Sequence, residues 1–177
     1  MIAIALCCNP KILLADEPTT ALDVTIQAQI LELMTKLAKE KQTAIVIITH
    51  NLGIIARYAD RVNVMYAGRI VESAPAKNLY ANPRHPYTLG LIQSVPRLDN
   101  INKQKLSPIK GMPPDLINMP DGCYFNPRCN LVQPECQINY PPLISVSSDQ
   151  TTACWEWERI PRHLKNYSQG TSNNGTE

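Results

Sequence analysis

The chain has no apolar stretch approaching the roughly 18 to 20 residues needed to span a bilayer. Its purest apolar run, Ala44 to Thr49, is the size of a strand, so no membrane-crossing helix is expected. It also lacks an excess of charge of either sign. Its 17 Lys and Arg against 15 Asp and Glu leave a net charge of +2, which gives no electrostatic case for nucleic acid. The opening MIAIALCC has no basic residue ahead of its apolar segment and runs through Asn9, Pro10 and Lys11 into a second apolar run. That pattern argues against a secretion signal. The six cysteines are therefore expected in a reducing compartment, where metal binding outranks disulfides. There is no internal repeat. No G-x-x-x-x-G-K-[ST] occurs either, so there is no glycine-rich backbone cradle for phosphates and no lysine placed to reach them.

What is present suits a globular protein. The 177 residues, 44% hydrophobic and 18% charged, allow one ordinary domain, or a small domain with an appendage. Ile12 to Ala15 is a short continuous apolar run, and Thr43 to Thr49 (TAIVIIT) is a β-branched one; both read as strands covered on two faces. Between them Ile26, Ile30, Leu31, Met34, Leu37 and Ala38 recur at helical spacing over Val24 to Lys39, with Asp23 placed to cap the helix. Strand, helix, strand at this spacing predicts a parallel βαβ crossover.

Asn51 to Asp60 reads as a short helix, and Arg61 to Ala74 as two strands around Ala67 and Gly68, a hairpin. Beyond Ala74 the character changes. Of the 15 prolines only Pro10 and Pro18 precede residue 75, and periodicity fades apart from a helix near Tyr87 to Ser94. Three segments are expected: an α/β part over 1–74, a Pro-rich and cysteine-bearing extension over 75–159, and a polar, disordered tail over 160–177.

KILLADEPTTALD, Lys11 to Asp23, places two adjacent carboxylates, Asp16 and Glu17, at the end of an apolar run. Burying carboxylates without partners is costly, so a strand that delivers two of them to its tip delivers them to something cationic, and a metal ion fits. Parallel α/β sheets place ligand sites at the carboxyl ends of their strands. His50 stands at the end of the next strand, so three groups with phosphate and metal chemistry converge from two strands.

ILLADEPTTALD resembles the Walker B segment and D-loop of ABC-transporter ATPases, and IVIITHNL resembles their switch-histidine segment, in the same order and spacing across Lys11 to Asp60. The resemblance implies the carboxy-terminal half of a P-loop NTPase parallel sheet. It implies that Asp16 binds Mg²⁺, that Glu17 is the general base for the hydrolytic water, that His50 contacts the γ-phosphate of ATP, and that Asp23 communicates across a nucleotide-sandwich dimer. Read singly, the same residues could be a solvated strand end, a helix cap and an N-cap. Met1 to Leu6 resembles the helix that follows the family's signature motif, so the chain looks like a fragment. Lacking the phosphate loop and the signature, it is expected neither to bind ATP tightly nor to hydrolyse it alone.

Asn82 to Pro96 (NPRHPYTLGLIQSVP) and the cysteine region resemble the carboxy-terminal extension of oligopeptide, dipeptide and nickel importer ATPases, with His85-Pro86-Tyr87 as the recognisable element. From the residues alone, Pro83 and Pro86 end one helix and start another, and Tyr87 packs. The partners implied are transmembrane permease subunits, a second ATPase subunit and, indirectly, an extracytoplasmic peptide-binding protein, with the chain on the cytoplasmic face of the inner membrane. Cys123, Cys129, Cys136 and Cys154 are separated by five, six and seventeen residues. Four thiolates match the coordination of zinc or of an iron–sulfur cluster, with free thiols or an oxidised pair as the alternatives. The family resemblance implies a four-iron four-sulfur cluster, structural or redox-sensing in role. Cys7 and Cys8 are expected as small buried core residues, and Trp155 and Trp157 as packing for the tail module. The resemblance implies an energy-coupling subunit for uptake of di- and oligopeptides, with nickel as the alternative cargo; a second reading is a non-enzymatic iron–sulfur or zinc-binding interaction module, a truncated relic of such an ATPase.

Overall fold

The computed structural model describes residues 2–19, 22–94 and 108–160. The chain forms two compact units, Met1–Tyr58 and Ala59–Glu177.

The first unit runs α1 (Ile2–Cys7), β1 (Ile12–Asp16), α2 (Val24–Lys41), β2 (Ala44–Ile48) and α3 (Leu52–Tyr58). β1 and β2 pair in parallel, in register from Ile12 with Ala44 to Asp16 with Ile48, as the βαβ pattern predicts. α2 begins where the Asp23 carboxylate accepts from Ile26 N at 3.0 Å. It ends at Gln42, which adopts the left-handed conformation. Leu31, Met34 and Ala38, spaced three and four apart, are its buried residues. The Thr43 hydroxyl donates to Pro10 O at 2.7 Å and fixes the entry to β2.

Coverage of the strands on both faces is not observed. Ala15 is buried and Leu13, Ile45 and Ile47 are half-buried, but Ile12 and Leu14 are 62% and 70% exposed, as are Val46 and Ile48 at 46% and 54%. Side chains alternate across a strand, and nothing among the described residues covers the second face. Cys7 and Cys8 are likewise exposed, not buried. An apolar residue type states a preference for burial, and the neighbour that would satisfy it has to come from elsewhere.

The second unit is built on an antiparallel sheet of order β3-β4-β6-β5, from β3 (Arg61–Tyr66), β4 (Arg69–Pro75), β5 (Ile144–Ser145) and β6 (Thr151–Thr152). Ala67 and Gly68 both take positive φ, 47° and 78°, which matches the twist of a tight hairpin. On β3, Val62, Val64 and Tyr66 alternate inward. Tyr66 packs against Tyr87 and Phe125, with ring centroids 4.7 and 5.2 Å away. α4 (Ala76–Ala81) and α5 (Pro86–Ser94) follow the hairpin. α5 starts at Pro86, a position that suits proline because its missing N–H has no helical partner there. A 3-10 turn at Asn126–Arg128, the short α6 (Pro134–Ile138) and a second 3-10 turn at Trp157–Arg159 carry the cysteine region.

The compact units divide after Tyr58, whereas the composition changes at residue 74. β4 pairs with β6, Glu72 opposite Thr152 and Ser73 opposite Thr151. That long-range pairing draws the hairpin into the second unit. Residues 161–177 of the expected disordered tail lie outside the described residues, as do 95–107 of the Pro-rich stretch.

Candidate functional site

β1 delivers Asp16 to its tip, where the side chain is exposed. The ladder continues one step further, with Glu17 N donating to Ile48 O at 2.9 Å. Glu17 itself takes φ 45°, a left-handed conformation that costs a residue with a Cβ of order 1 kcal/mol or more. The turn carries the Glu17 carboxylate across to the end of β2, where Oε1 meets His50 Nδ1 at 2.6 Å. The His50 backbone N–H also donates to Oε1, at 3.3 Å.

The pair is open to solvent, with side-chain exposures of 79% for His50 and 37% for Glu17, so it contributes little to stability. Its importance is positional. With Nδ1 committed to Glu17, Nε2 is the ring nitrogen left for a ligand. Asp23 is placed at the start of α2, where its carboxylate serves as the N-cap. The Gln27 side-chain amide donates to Thr19 O at 2.7 Å and to Leu22 O at 3.2 Å. Gln27 was not legible as a site residue, because a polar position on a helix carries no mark of what it tethers.

The second constellation lies in the unit Ala59–Glu177. Cys123, Cys129, Cys136 and Cys154 all line one cavity, together with His85 and Phe125. Residues from four stretches of chain meet there. Cys129 follows the first 3-10 turn, Cys136 lies in α6, and Cys154 follows β6. Cys123 N donates to Cys136 O at 2.8 Å. This close approach requires glycine at 122, since a Cβ there would stand 2.3 Å from Cys136 O. All four cysteines are free.

Burial pushes the Cys123 thiol up, Cys129 to about 11 and Cys154 to about 12; the other thiols of the cavity add to each shift. Thiols in such a site stay protonated at neutral pH until a bound cation offsets the charge. Among the described residues no three His, Cys, Asp or Glu side chains are set to hold a single metal ion.

His85 is 1% exposed, with Nδ1 accepting from Tyr87 N at 3.1 Å. Burial holds its imidazole down at about 3. Glu72, 0% exposed, accepts at Oε1 from Arg84 N at 2.7 Å and Gln150 Nε2 at 2.8 Å. Sequence reasoning noted His85 only as part of a resemblance and missed Glu72. No local pattern marked Glu72: of its period-two neighbours on β4, Ala74 is buried but Ile70 is exposed.

Residues 71–136 match the family described as "Oligopeptide/dipeptide transporter, C-terminal region". Residues 1–56 match the family described as "AAA domain, putative AbiEii toxin, Type IV TA system". Over 164 residues the chain is 54% identical to a peptide import ATP-binding protein of Brucella ovis, which covers 90% of this chain and 48% of that protein. It is 50% identical over 155 residues to the oligopeptide transport ATP-binding protein OppD of Haemophilus influenzae, covering 88% of this chain and 47% of that one. It is 49% identical over 163 residues to the dipeptide transport ATP-binding protein DppD of Bacillus subtilis, covering 92% and 48%. The chain thus spans about half the length of the curated relatives it matches. Its strand-tip carboxylates sit in the carboxy-terminal half of a P-loop NTPase sheet, and the chain belongs to the oligopeptide/dipeptide family of ABC-transporter ATP-binding proteins.

Proposed function

We propose that this chain carries the hydrolytic half-site of an ATPase that drives uptake of di- and oligopeptides. The observation that carries the reading is the contact of Glu17 with His50 at 2.6 Å, made across the tips of two parallel strands beside Asp16. Such a pair suits phosphoryl transfer, in which the protein positions water and charge and does little covalent chemistry. Glu17 is the acceptor for the proton of the attacking water. His50 orients that carboxylate through Nδ1 and offers Nε2 to the terminal phosphate. Asp16 is the magnesium ligand. A lone exposed carboxylate fits an ion that keeps most of its waters, and magnesium, when bound, supplies charge against the phosphate oxygens.

Asp23 is the residue that would face a second ATPase subunit, in addition to capping α2. No phosphate-cradling G-x-x-x-x-G-K-[ST] occurs in the sequence, so the chain by itself is expected neither to hold ATP tightly nor to turn it over. The names of its relatives support peptides as cargo. Transmembrane permease subunits and an extracytoplasmic binding protein would select the peptide, with this ATPase docked on the cytoplasmic face of the membrane.

The four cavity thiols are the proposed ligands of a four-iron four-sulfur cluster. The donor set fits: four thiols line one cavity and none is committed to a disulfide. The same observation supports a second reading, in which the unit from Ala59 onward is a metal-binding interaction module.

The test uses the complete protein that carries this segment, assembled with its permease in vesicles. Glu17→Gln should lower ATP-driven peptide uptake on the order of 10²-fold or more while leaving ATP binding intact, the usual effect of losing a general base. Uptake unaffected by that substitution would refute the assignment and leave the metal-module reading.

A further inference from the structure

Two of the four cavity thiols stand on backbones that touch. Cys123 N donates to Cys136 O at 2.8 Å, and a Cβ at the neighbouring Gly122 would stand 2.3, 2.7 and 2.9 Å from Cys136 O, Gln137 C and Ile138 N. The bond lengths on either side of one such N–H···O contact hold the two Cα atoms within about 6 Å of each other. A disulfide needs Cα atoms roughly 4.4 to 6.8 Å apart and Cβ vectors that do not diverge. Cys123 and Cys136 border the same cavity, so both conditions are met. The other two cysteines are anchored elsewhere. Cys129 N donates to Asn126 O at 3.2 Å and its sulfur accepts from Leu131 N at 3.4 Å, while Cys154 follows Ala153, whose N–H donates to Val71 O at 2.8 Å. Among the described residues no backbone hydrogen bond joins either of them to another cysteine.

We propose that Cys123 and Cys136 are a disulfide-forming pair, closed by a low-molecular-weight disulfide when the four-thiol site holds no metal, and that closing them shuts the site to metal. One cysteine thiolate attacks a sulfur of the small disulfide, releasing one small thiol and leaving a mixed disulfide. The second cysteine attacks the protein sulfur of that intermediate, forming the Cys123–Cys136 bond and releasing the second small thiol. The two protein thiols lose two electrons and two protons, and the small disulfide gains both. Only Cys129 and Cys154 then remain as thiols, too few for the four-sulfur coordination of zinc or of an iron–sulfur cluster. The pairing stands on the backbone geometry, and its effect on metal rests on reading the four thiols as one ligand set.

Disulfide mapping tests the pairing. The full chain, reduced and freed of metal, is equilibrated without oxygen in a mixture of reduced and oxidised glutathione. Remaining thiols are alkylated, and cross-linked peptides are identified by mass spectrometry without reduction. Cys123–Cys136 should exceed every other pair by about tenfold or more, as expected when one pair is held together by its backbone. In guanidinium the shorter loops, Cys123–Cys129 and Cys129–Cys136, should overtake it, since closing a short loop costs an unfolded chain less. Cys129→Ser should keep the cross-link, and Cys136→Ser should lose it and leave Cys123 as a glutathione adduct. The guanidinium pattern in the native chain, or glutathione adducts without a cross-link in wild type, would overturn the proposal.

A second arm adds ferrous iron and sulfide anaerobically to the reduced and to the cross-linked chain and reads visible absorbance and bound iron. The reduced chain should take up iron, and the cross-linked chain should take up much less until dithiothreitol is added. If the reduced chain takes up none while the pairing follows expectation, the disulfide assignment stands and the cluster assignment falls. If both forms load equally, closure of the site by the disulfide is refuted.

Discussion

His85 makes the stability of its unit depend on pH. In the folded protein, burial lowers its pKa from 6.5 to about 3. In the unfolded chain the imidazole titrates near its ordinary value. At alkaline pH both states hold a neutral ring and the group contributes nothing. As pH falls below about 6.5 the unfolded chain takes up a proton that the folded protein refuses, so stability falls, and the loss levels off only near the folded value. At about 1.4 kcal/mol per pH unit, acidification from about pH 8 to about pH 4.5 should cost on the order of 2 to 3 kcal/mol from this group.

Urea unfolding of the metal-free chain reads this directly, because both tryptophans, Trp155 and Trp157, lie in the unit that contains His85. His85→Gln removes the titrating ring, so the gap in midpoint between the two proteins should change by roughly 1 to 2 M urea over that range. The comparison is needed because the raised pKa of Glu72 acts in the opposite direction and is common to both chains. Parallel pH dependences would refute the claim that His85 is buried as the neutral ring.

Three further outcomes are expected. Gly122→Ala should lower the melting temperature of the metal-free chain markedly, at a cost of more than about 2 kcal/mol, since φ is +66° and the new Cβ meets backbone atoms of Cys136 and Gln137 at 2.3 and 2.7 Å; a melt like wild type would mean that the Cys123 and Cys136 segments are not packed this closely. Asp23→Ala should cost about 1 kcal/mol through loss of the α2 cap and speed amide exchange in the first turn, and unchanged exchange there would refute the cap. Glu72→Gln should gain stability relative to wild type as pH rises from the ordinary carboxyl value of the unfolded chain through the raised value of the folded one, and the gain should level off above it, because the charged form is the one that burial penalises; a gap independent of pH would show that folding does not raise the Glu72 carboxyl.

The strand-tip site was legible because its parts are local. Asp16 ends β1 and Glu17 follows it, Asp23 precedes α2 and His50 follows β2, so the period of each element placed its neighbours. The Glu17 to His50 contact then followed from parallel pairing of two strands whose apolar runs were plain. The second unit resisted the same reasoning. β5 and β6 are two residues each, too short for any period to show, and Glu72 reads as a solvent-facing strand residue until β6 and the Asn82 to His85 turn close over it.

The sequence by itself determined the βαβ crossover, the hairpin at Ala67-Gly68, the placement of Asp16, Glu17 and His50 at neighbouring strand ends and the four-cysteine inventory, since each depends on spacing within a few residues or on composition. Only tertiary structure decided that β4 belongs with the cysteine unit, that four dispersed thiols share one cavity, and that His85 is buried at the start of α5 against Phe125. These depend on contacts between residues tens of positions apart. Burial and hydrogen-bond partners at that range are properties of the closed fold and leave no periodic trace in the chain.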